Sequence, residues 1–309
     1  MCGAVRWSAM ADAGSPRTRV ADGVVRVAAP GTRWLHAGHD GGYARADAAY
    51  NVSVPEGFDR TDLAAYAVRR RERAGFADPG PSLLTGVDAR HARGAHSGPV
   101  TVVATAGVSN PAALPTRTNA DDDAHDRRRL RDDSLNTYEG IPETHDGGPV
   151  GDGDPVGNGD RRPGTGDRPR RDGDGRPTES EDSDGRSTES GDGPVGTVNL
   201  LVWTDRALSE GVLASLLGVV VEAKTATLLA RTGFPGTTTD AVVVGCDPDG
   251  ERAAFAGTGT AVGAAARACV REAVTASLDA RYADTALPGS VAEADYGVAT
   301  TRTASVFEP

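Results

Sequence analysis

Apolar and polar positions follow strand-like and helix-like patterns in two stretches of the chain, separated by a segment with few apolar residues. Short runs rich in valine and other β-forming residues predict strands at 24–29, 48–54, 82–87, 100–106, 197–203 and 240–246. Apolar positions spaced three and four residues apart predict helices over 60–75, 209–233 and 260–282. Such alternation predicts an α/β or α+β fold, a single layered domain with a mixed sheet.

The central segment has the composition of a disordered insertion. Residues 116–195 are rich in Gly, Asp, Arg, Pro and Ser, and "DGRPTES" at 174–180 returns as "DGRSTES" at 184–190. Such text buries too little apolar surface to offset chain entropy. We therefore predict a disordered, acidic low-complexity insertion within one domain, whose flanking strands share a core. Two independent domains are the alternative. The predicted boundaries are an N-terminal extension (1–20), the two parts of one domain (21–115 and 196–285) and a C-terminal tail (286–309).

Composition limits the classes of function. The chain of 309 residues carries a formal net charge of −11, and Lys224 is its only lysine. An acidic balance argues against nucleic-acid binding, which needs a basic footprint. Because aspartate outnumbers glutamate and lysine is almost absent, we predict a salt-adapted protein from a halophile, in which concentrated salt screens the acidic surface.

Targeting and redox features favour the cytoplasm. Cys2, Cys246 and Cys269 form no CxxC pair, which is typical of a reducing compartment. No run approaches 18 apolar residues, and the N-terminus lacks the apolar region of a secretory signal, so we expect no membrane segment. The sequence does not indicate an oligomeric state.

The single lysine lies on an apolar helix face. Lys224 continues a stripe with three- and four-residue spacing that includes Leu213, Leu217, Val220 and Leu228. Glu222 points elsewhere, because residues two apart do not share a helix face. Lys224 either extends its ammonium past the edge of the stripe or has a function that arginine cannot fill. Lys224 is therefore a candidate functional residue.

Loops beside the strands supply polar candidates. Ser109 and Asn110 end "TAGVSN", Asn199 opens the next strand, and "GTTTD" places Thr238, Thr239 and Asp240 directly before another. The turn "AGTGTAVG" includes Gly257 and Thr258 and opens the last helix, where free N–H groups can hold an oxyanion. It matches neither a phosphate loop nor a dinucleotide fingerprint.

Metal and serine-hydrolase sites find little support. The pairs His36/His39 and His91/His96 lack the fixed helical face that makes such spacing informative for zinc. No Gly-x-Ser-x-Gly elbow is present. We therefore predict no metal or organic cofactor held by the protein.

Six segments together resemble the adenosylcobinamide amidohydrolase family of corrinoid salvage. In family order they are "WLHAGHDGGYARADAAYNVSVP" (34–55), "TAGVSN" (105–110), "GTVNLLV" (196–202), "EAKTATL" (222–228), "GTTTDAVVV" (236–244) and "AGTGTAVG" (256–263). The resemblance implies hydrolysis of the amide between a corrin side chain and 1-amino-2-propanol, a linear non-peptide amide, which yields adenosylcobyric acid. It implies a small corrinoid substrate that brings its own cobalt.

The matching segments assign expected roles. Glu222 or Asp240 is expected to act as general base and Lys224 to supply positive charge or a proton, while the Gly257–Thr260 turn helps to hold the oxyanion. Neutral side chains are expected to bind the amide rim of the corrinoid: Asn51, Ser109, Asn110, Asn199, Thr225, Thr238, Thr239, Gly257 and Thr258. The alternatives are a non-catalytic corrinoid-binding or delivery protein and an interaction protein that acts through its acidic insertion.

Overall fold

The computed structural model describes residues 15–115, 196–294 and 296–309. The predicted insertion at 116–195 lies outside the described residues, as do residues 1–14 of the predicted extension. The two long described stretches belong to one compact unit.

The described residues form strands and helices in an α/β order. The strands are β1 (Arg17–Ala21), β2 (Val24–His36), β3 (Gly42–Ser53), β4 (Ser82–Thr85), β5 (Arg93–Ser97), β6 (Val100–Ala106), β7 (Pro111–Ala113), β8 (Val198–Ala207), β9 (Gly236–Thr237), β10 (Ala241–Arg252) and β11 (Val298–Ala299). The helices are α1 (Leu63–Arg73), α2 (Glu210–Thr232) and α3 (Ala261–Arg281), with 3-10 turns at Ala89–His91 and Val291–Glu293.

One large mixed sheet joins the two parts of the chain. Its strand order is β4-β3-β2-β10-β8-β6-β5, with β1 paired to β2. Strands β8 and β10 are parallel, whereas β6 pairs with β8 in antiparallel register that places Thr105 opposite Asn199. The prediction of an α/β domain with a mixed sheet is confirmed, because strands from before and after the undescribed segment are hydrogen-bonded neighbours.

The sheet is strongly curved. Asn51 on β3 donates to Thr105 on β6 at 2.7 Å, and Asn199 on β8 donates to the Leu84 carbonyl of β4 at 2.8 Å, although these strands are not adjacent in the sheet. The concave face holds a core around Trp34, Leu83, Leu201 and Trp203. Helices α2 and α3 cover part of the convex face through the largest core cluster.

Helix α2 is a core helix with one buried charged residue. Its ends match the sequence signals, since Ser209 is the N-cap residue and Gly233 has a φ of 77° as the C-cap. By length and composition alone the helix could cross a membrane, with a mean hydropathy of 1.7. In the structure its apolar stripe instead packs on the sheet, and Lys224 lies on that buried stripe as predicted.

Several strands differ from the sequence predictions. Strand β1 begins at Arg17, inside the segment predicted as an extension, and β5 includes His96 in a stretch where no strand was predicted. A small second sheet, β11-β7-β9, has strands of two or three residues. Strands of two or three residues are too short to show an alternation of apolar and polar positions. Most residues of β1 and β5 are exposed or half-buried, so these strands lack the apolar run of a buried strand.

Candidate active site

Lys224 and Asp240 form a buried ion pair at one end of the large sheet. Lys224 lies in the C-terminal half of α2, and Asp240 directly precedes β10. Lys224 Nζ donates to Asp240 Oδ2, and the two side chains are only 8% and 10% exposed. Burial of both groups makes this pair unlike a surface ion pair, because removal of either charge would leave the other without compensation.

The Asp240 carboxylate is held by donors from three directions. Oδ2 accepts the Thr237 N–H at 3.1 Å as well as the Lys224 ammonium, while Oδ1 accepts the Val198 N–H at 2.9 Å and the Thr237 hydroxyl. These bonds occupy about four acceptor sites, the full capacity of a carboxylate. Gly236 packs against the pair: a Cβ there would lie 2.8 Å from Asp240 Oδ2. The Asp240 carboxylate is therefore fixed in position.

A group of hydroxyls and an amide adjoins this pair. Asn110 Nδ2 donates to the Thr238 hydroxyl at 2.6 Å and lies 3.4 Å from that of Thr239. The Thr239 hydroxyl is in turn 2.9 Å from that of Thr197. Thr238 and Thr239 are exposed, so these hydroxyls are accessible to a ligand next to Asp240. The structure thus brings together Asn110, Thr238, Thr239 and Asp240 from distant parts of the sequence.

Asn51 and Asn199 belong to a buried network on the concave face. Asn199 Nδ2 donates to Asn51 Oδ1 at 2.9 Å, and Asn199 Oδ1 accepts the Ala241 N–H at 3.1 Å. Asn51 and Asn199 are 3% and 1% exposed. Their amide groups bond to the protein itself, and they hold the starts of β8 and β10 beside β3 and β4. Their placement supports a positioning role next to the site.

A cleft of about 580 Å³ opens over Asp240. Its walls are the turn at 37–39, the segment around Phe58–Arg60, the β4 edge, and the residues next to Asp240. The Tyr50 and Val54 N–H groups donate to the carbonyls of Pro81 and Thr85. The alternate carbonyls of Ser82 and Leu84 therefore face away from β3. The Leu84 carbonyl accepts a hydrogen bond from Asn199 Nδ2, and Ser82 lines the cleft. The cleft combines an apolar wall, backbone acceptors and hydroxyls with the charged side chains of Asp59, Arg60 and Asp240.

Glu222 does not join this cluster. Its carboxylate is 63% exposed and accepts a hydrogen bond from Arg267 of α3 at 2.5 Å. Glu222 and Lys224 share α2 but face different surroundings, as the two-residue spacing predicts.

Gly257 and Thr258 lie at the far end of the molecule from Asp240. Helices α2 and α3 run parallel, since Glu222 pairs with Arg267 and Arg231 pairs with Asp279. The C-terminal end of α3 adjoins the site, where the Ala106 N–H donates to Ser277 Oγ at 2.9 Å. The start of α3 is about 24 Å from Ser277 along the helix axis, at 1.5 Å per residue. The Gly257–Thr260 turn cannot contact an oxyanion held by Lys224.

Two other candidates lie near the cluster with few contacts to it. Thr225 is half-buried on α2 beside Lys224. Ser109 is half-buried. A Cβ on Gly196 would lie 2.3 Å from the Ser109 backbone nitrogen, so Gly196, the first described residue of the second part of the chain, packs closely on Ser109 and Asn110.

Sequence reasoning missed three contributors to the site. Thr197 and Thr237 lay inside quoted motifs, but nothing in the motif showed which threonine touches Asp240. The β4 edge contributes backbone atoms, which leave no residue-type signal. His36, which the sequence analysis named, directly precedes the cleft-lining Ala37. Burial, followed by the charge of His39, lowers the pKa of the His36 imidazole.

Comparison with known proteins gives two consistent matches. A family model described as "Adenosylcobinamide amidohydrolase" matches residues 10–286. A protein named "Adenosylcobinamide amidohydrolase" from Halobacterium salinarum, a halophilic archaeon, is 43% identical over 294 residues, which cover 94% of this chain and 99% of the relative. Both matches span the segments that supply Lys224, Asp240, Asn110 and the cleft.

Proposed function

Because the chain belongs to the adenosylcobinamide amidohydrolase family, we propose that it hydrolyses the aminopropanol amide of adenosylcobinamide. The products are adenosylcobyric acid and 1-amino-2-propanol. The observation that carries this proposal is the buried Lys224–Asp240 pair, because its Asp240 lines a cleft that also offers hydroxyls and backbone acceptors. The corrin ring is too large to enter a cleft of this size, so the amide-bearing side arm enters and the ring stays at the mouth.

The ion pair supplies the charges that amide hydrolysis needs. Water adds to the amide carbon, and the carbonyl oxygen becomes an oxyanion that the Lys224 ammonium stabilises. As Lys224 turns toward this oxygen, Asp240 Oδ2 loses one of its two donors, and a lone pair becomes free to accept a proton from the water. That proton then passes to the departing nitrogen as the C–N bond breaks, so a carboxylic acid and an amine are released.

The neutral side chains beside the pair match the chemistry of the substrate rim. Corrinoid carboxamides both donate and accept hydrogen bonds, and the Thr197 and Thr239 hydroxyls and the Ser82 carbonyl offer complementary groups. Asn110 orients two of the threonine hydroxyls and thereby shapes this surface.

A product assay tests the proposed function. The full chain is incubated with adenosylcobinamide in molar salt, and free 1-amino-2-propanol and adenosylcobyric acid are quantified by chromatography. Equimolar release of both products, increasing with enzyme concentration, is the expected result. Tight binding of adenosylcobinamide without release of the amine would instead show a corrinoid-binding or delivery protein.

A further inference from the structure

The turn between β2 and β3 presents an imidazole to the cleft. His39 lies in this turn and lines the cleft together with Ala37 and Gly38. The Ala37 N–H donates to the Val242 carbonyl at 2.9 Å, which extends the pairing of β2 with β10. A Cβ on Gly38 would lie 2.8 Å from Leu83 Cδ2, so the turn packs closely on β4. The backbone that carries His39 is therefore held in place on both sides.

The neighbouring carboxylate selects the tautomer of this imidazole. His39 Nδ1 lies 3.2 Å from Asp40 Oδ2, and the His39 side chain is 28% exposed. The negative charge beside Nδ1 favours the tautomer of the neutral ring that carries its hydrogen on Nδ1, and Nε2 then keeps its lone pair. A carboxylate on one nitrogen and a free lone pair on the other is the arrangement of metal-binding histidines.

One imidazole is too few to hold a free metal ion but enough for a corrinoid. Among residues 15–115, 196–294 and 296–309, no group of three His, Cys, Asp or Glu side chains is placed to hold a metal. The corrin ring already fills the equatorial positions of its cobalt with nitrogen ligands, and the adenosyl group occupies one axial position. A cobinamide has no nucleotide base for the other axial position. Imidazole nitrogen is a suitable ligand for such a cobalt.

We infer that His39 Nε2 binds the substrate's cobalt on the face opposite the adenosyl group. The inference rests on the proposed function and names how the same cleft recognises its substrate. A cobalt–nitrogen bond at His39 would fix the ring at the mouth of the cleft, whose wall also includes Asp240. The protein would thereby bind corrinoids with an open axial position more tightly than complete corrinoids, in which a nucleotide base already occupies that position.

Electron paramagnetic resonance of bound cob(II)inamide tests this inference. Protein produced with ¹⁴N-histidine is expected to split the axial cobalt lines into nitrogen triplets, and protein labelled with ¹⁵N only in histidine is expected to give doublets. The substitution His39→Ala is expected to abolish the splitting. His96→Ala is the matched control, because His96 lies on β5 and bonds to Thr101.

The outcomes separate this inference from the proposed function. If the wild-type chain releases 1-amino-2-propanol but binds cob(II)inamide without nitrogen splitting, the cobalt ligand is refuted and the amidohydrolase stands. Splitting that persists in His39→Ala but disappears in His36→Ala would show that His36 is the cobalt ligand and would overturn the proposal. Failure of the wild-type chain to bind or hydrolyse the corrinoid would overturn both.

Discussion

At the scale of single residues, Lys224 shows why one lysine persists in a chain that otherwise uses arginine. Its ammonium reaches a carboxylate whose other acceptor sites are filled by Thr237 and Val198. A guanidinium makes its best contact with a carboxylate through two parallel bonds, and no pair of acceptor sites is free here. The compact ammonium fits a site that needs one bond.

Loss of this charge should affect stability as well as activity. Lys224→Met leaves the Asp240 carboxylate buried without its partner, so we expect the free energy of unfolding to fall by about 3–5 kcal/mol. Denaturant unfolding at fixed high salt measures this change. The double substitution Lys224→Met and Asp240→Asn removes both charges and is expected to recover part of the loss. Equal stability of the wild type and Lys224→Met would show that the pair is not buried as described.

At the scale of elements, the site depends on the junction between α2, β9 and β10. Helix α2 ends at Thr232 with Gly233 as its C-cap, β9 supplies Thr237, and Asp240 leads into β10 only eight residues after the helix ends. This short connection brings the end of the helix and the start of the strand together. Gly236, within it, has no room for a side chain.

A pair of glycine substitutions tests this junction. Gly236→Ala would place a Cβ 2.8 Å from Asp240 Oδ2 and 3.7 Å from Lys224 Nζ, and we expect a fall in kcat/KM of about 10- to 100-fold because the pair is displaced. Gly257→Ala meets no atom within 4 Å and is expected to keep wild-type turnover. A large loss in Gly257→Ala with little effect in Gly236→Ala would place the catalytic groups at the α3 turn instead.

The predictable parts of the fold are those with long periodic patterns. The three helices and the buried strands β6, β8 and β10 follow from apolar spacing, because each buries a continuous face. The β4 edge, β5 and the two-residue strands do not, since backbone pairing between distant segments decides them. Asp240 could be placed for the same reason, because its motif directly precedes a buried strand. Glu222 and Gly257 also belong to matching motifs, but the sequence does not show that these two residues lie away from Asp240.

At the scale of the whole molecule, the two parts of the chain meet within one sheet and one site. Strand β6 ends the first part and pairs with β8 of the second, and Asn110 of the first part contacts Thr238 of the second. The chain resumes beside the site after the undescribed segment, since Gly196 packs on Ser109. Closing so long a connection costs little extra entropy.

Replacement of residues 117–194 should therefore preserve activity. Pro115 lies six residues after Ser109, at most about 20 Å along an extended chain, so a Gly/Ser linker of about ten residues can reach Gly196. We expect turnover within about twofold of wild type, because loop replacement leaves the packed core unchanged. Release of 1-amino-2-propanol in high salt measures it. Loss of activity in a shortened chain that retains the wild-type unfolding transition would give the segment a catalytic role.

The most direct measurement compares the turnover of adenosylcobinamide by Lys224→Met and Glu222→Gln under identical high-salt conditions. Both residues lie on α2, but only Lys224 touches Asp240 at the cleft. We predict that Lys224→Met loses roughly 10²- to 10³-fold in kcat, the range for removal of a group that stabilises an oxyanion, while Glu222→Gln stays close to wild type. Near-normal turnover by folded Lys224→Met, or collapse of activity in Glu222→Gln alone, would contradict it.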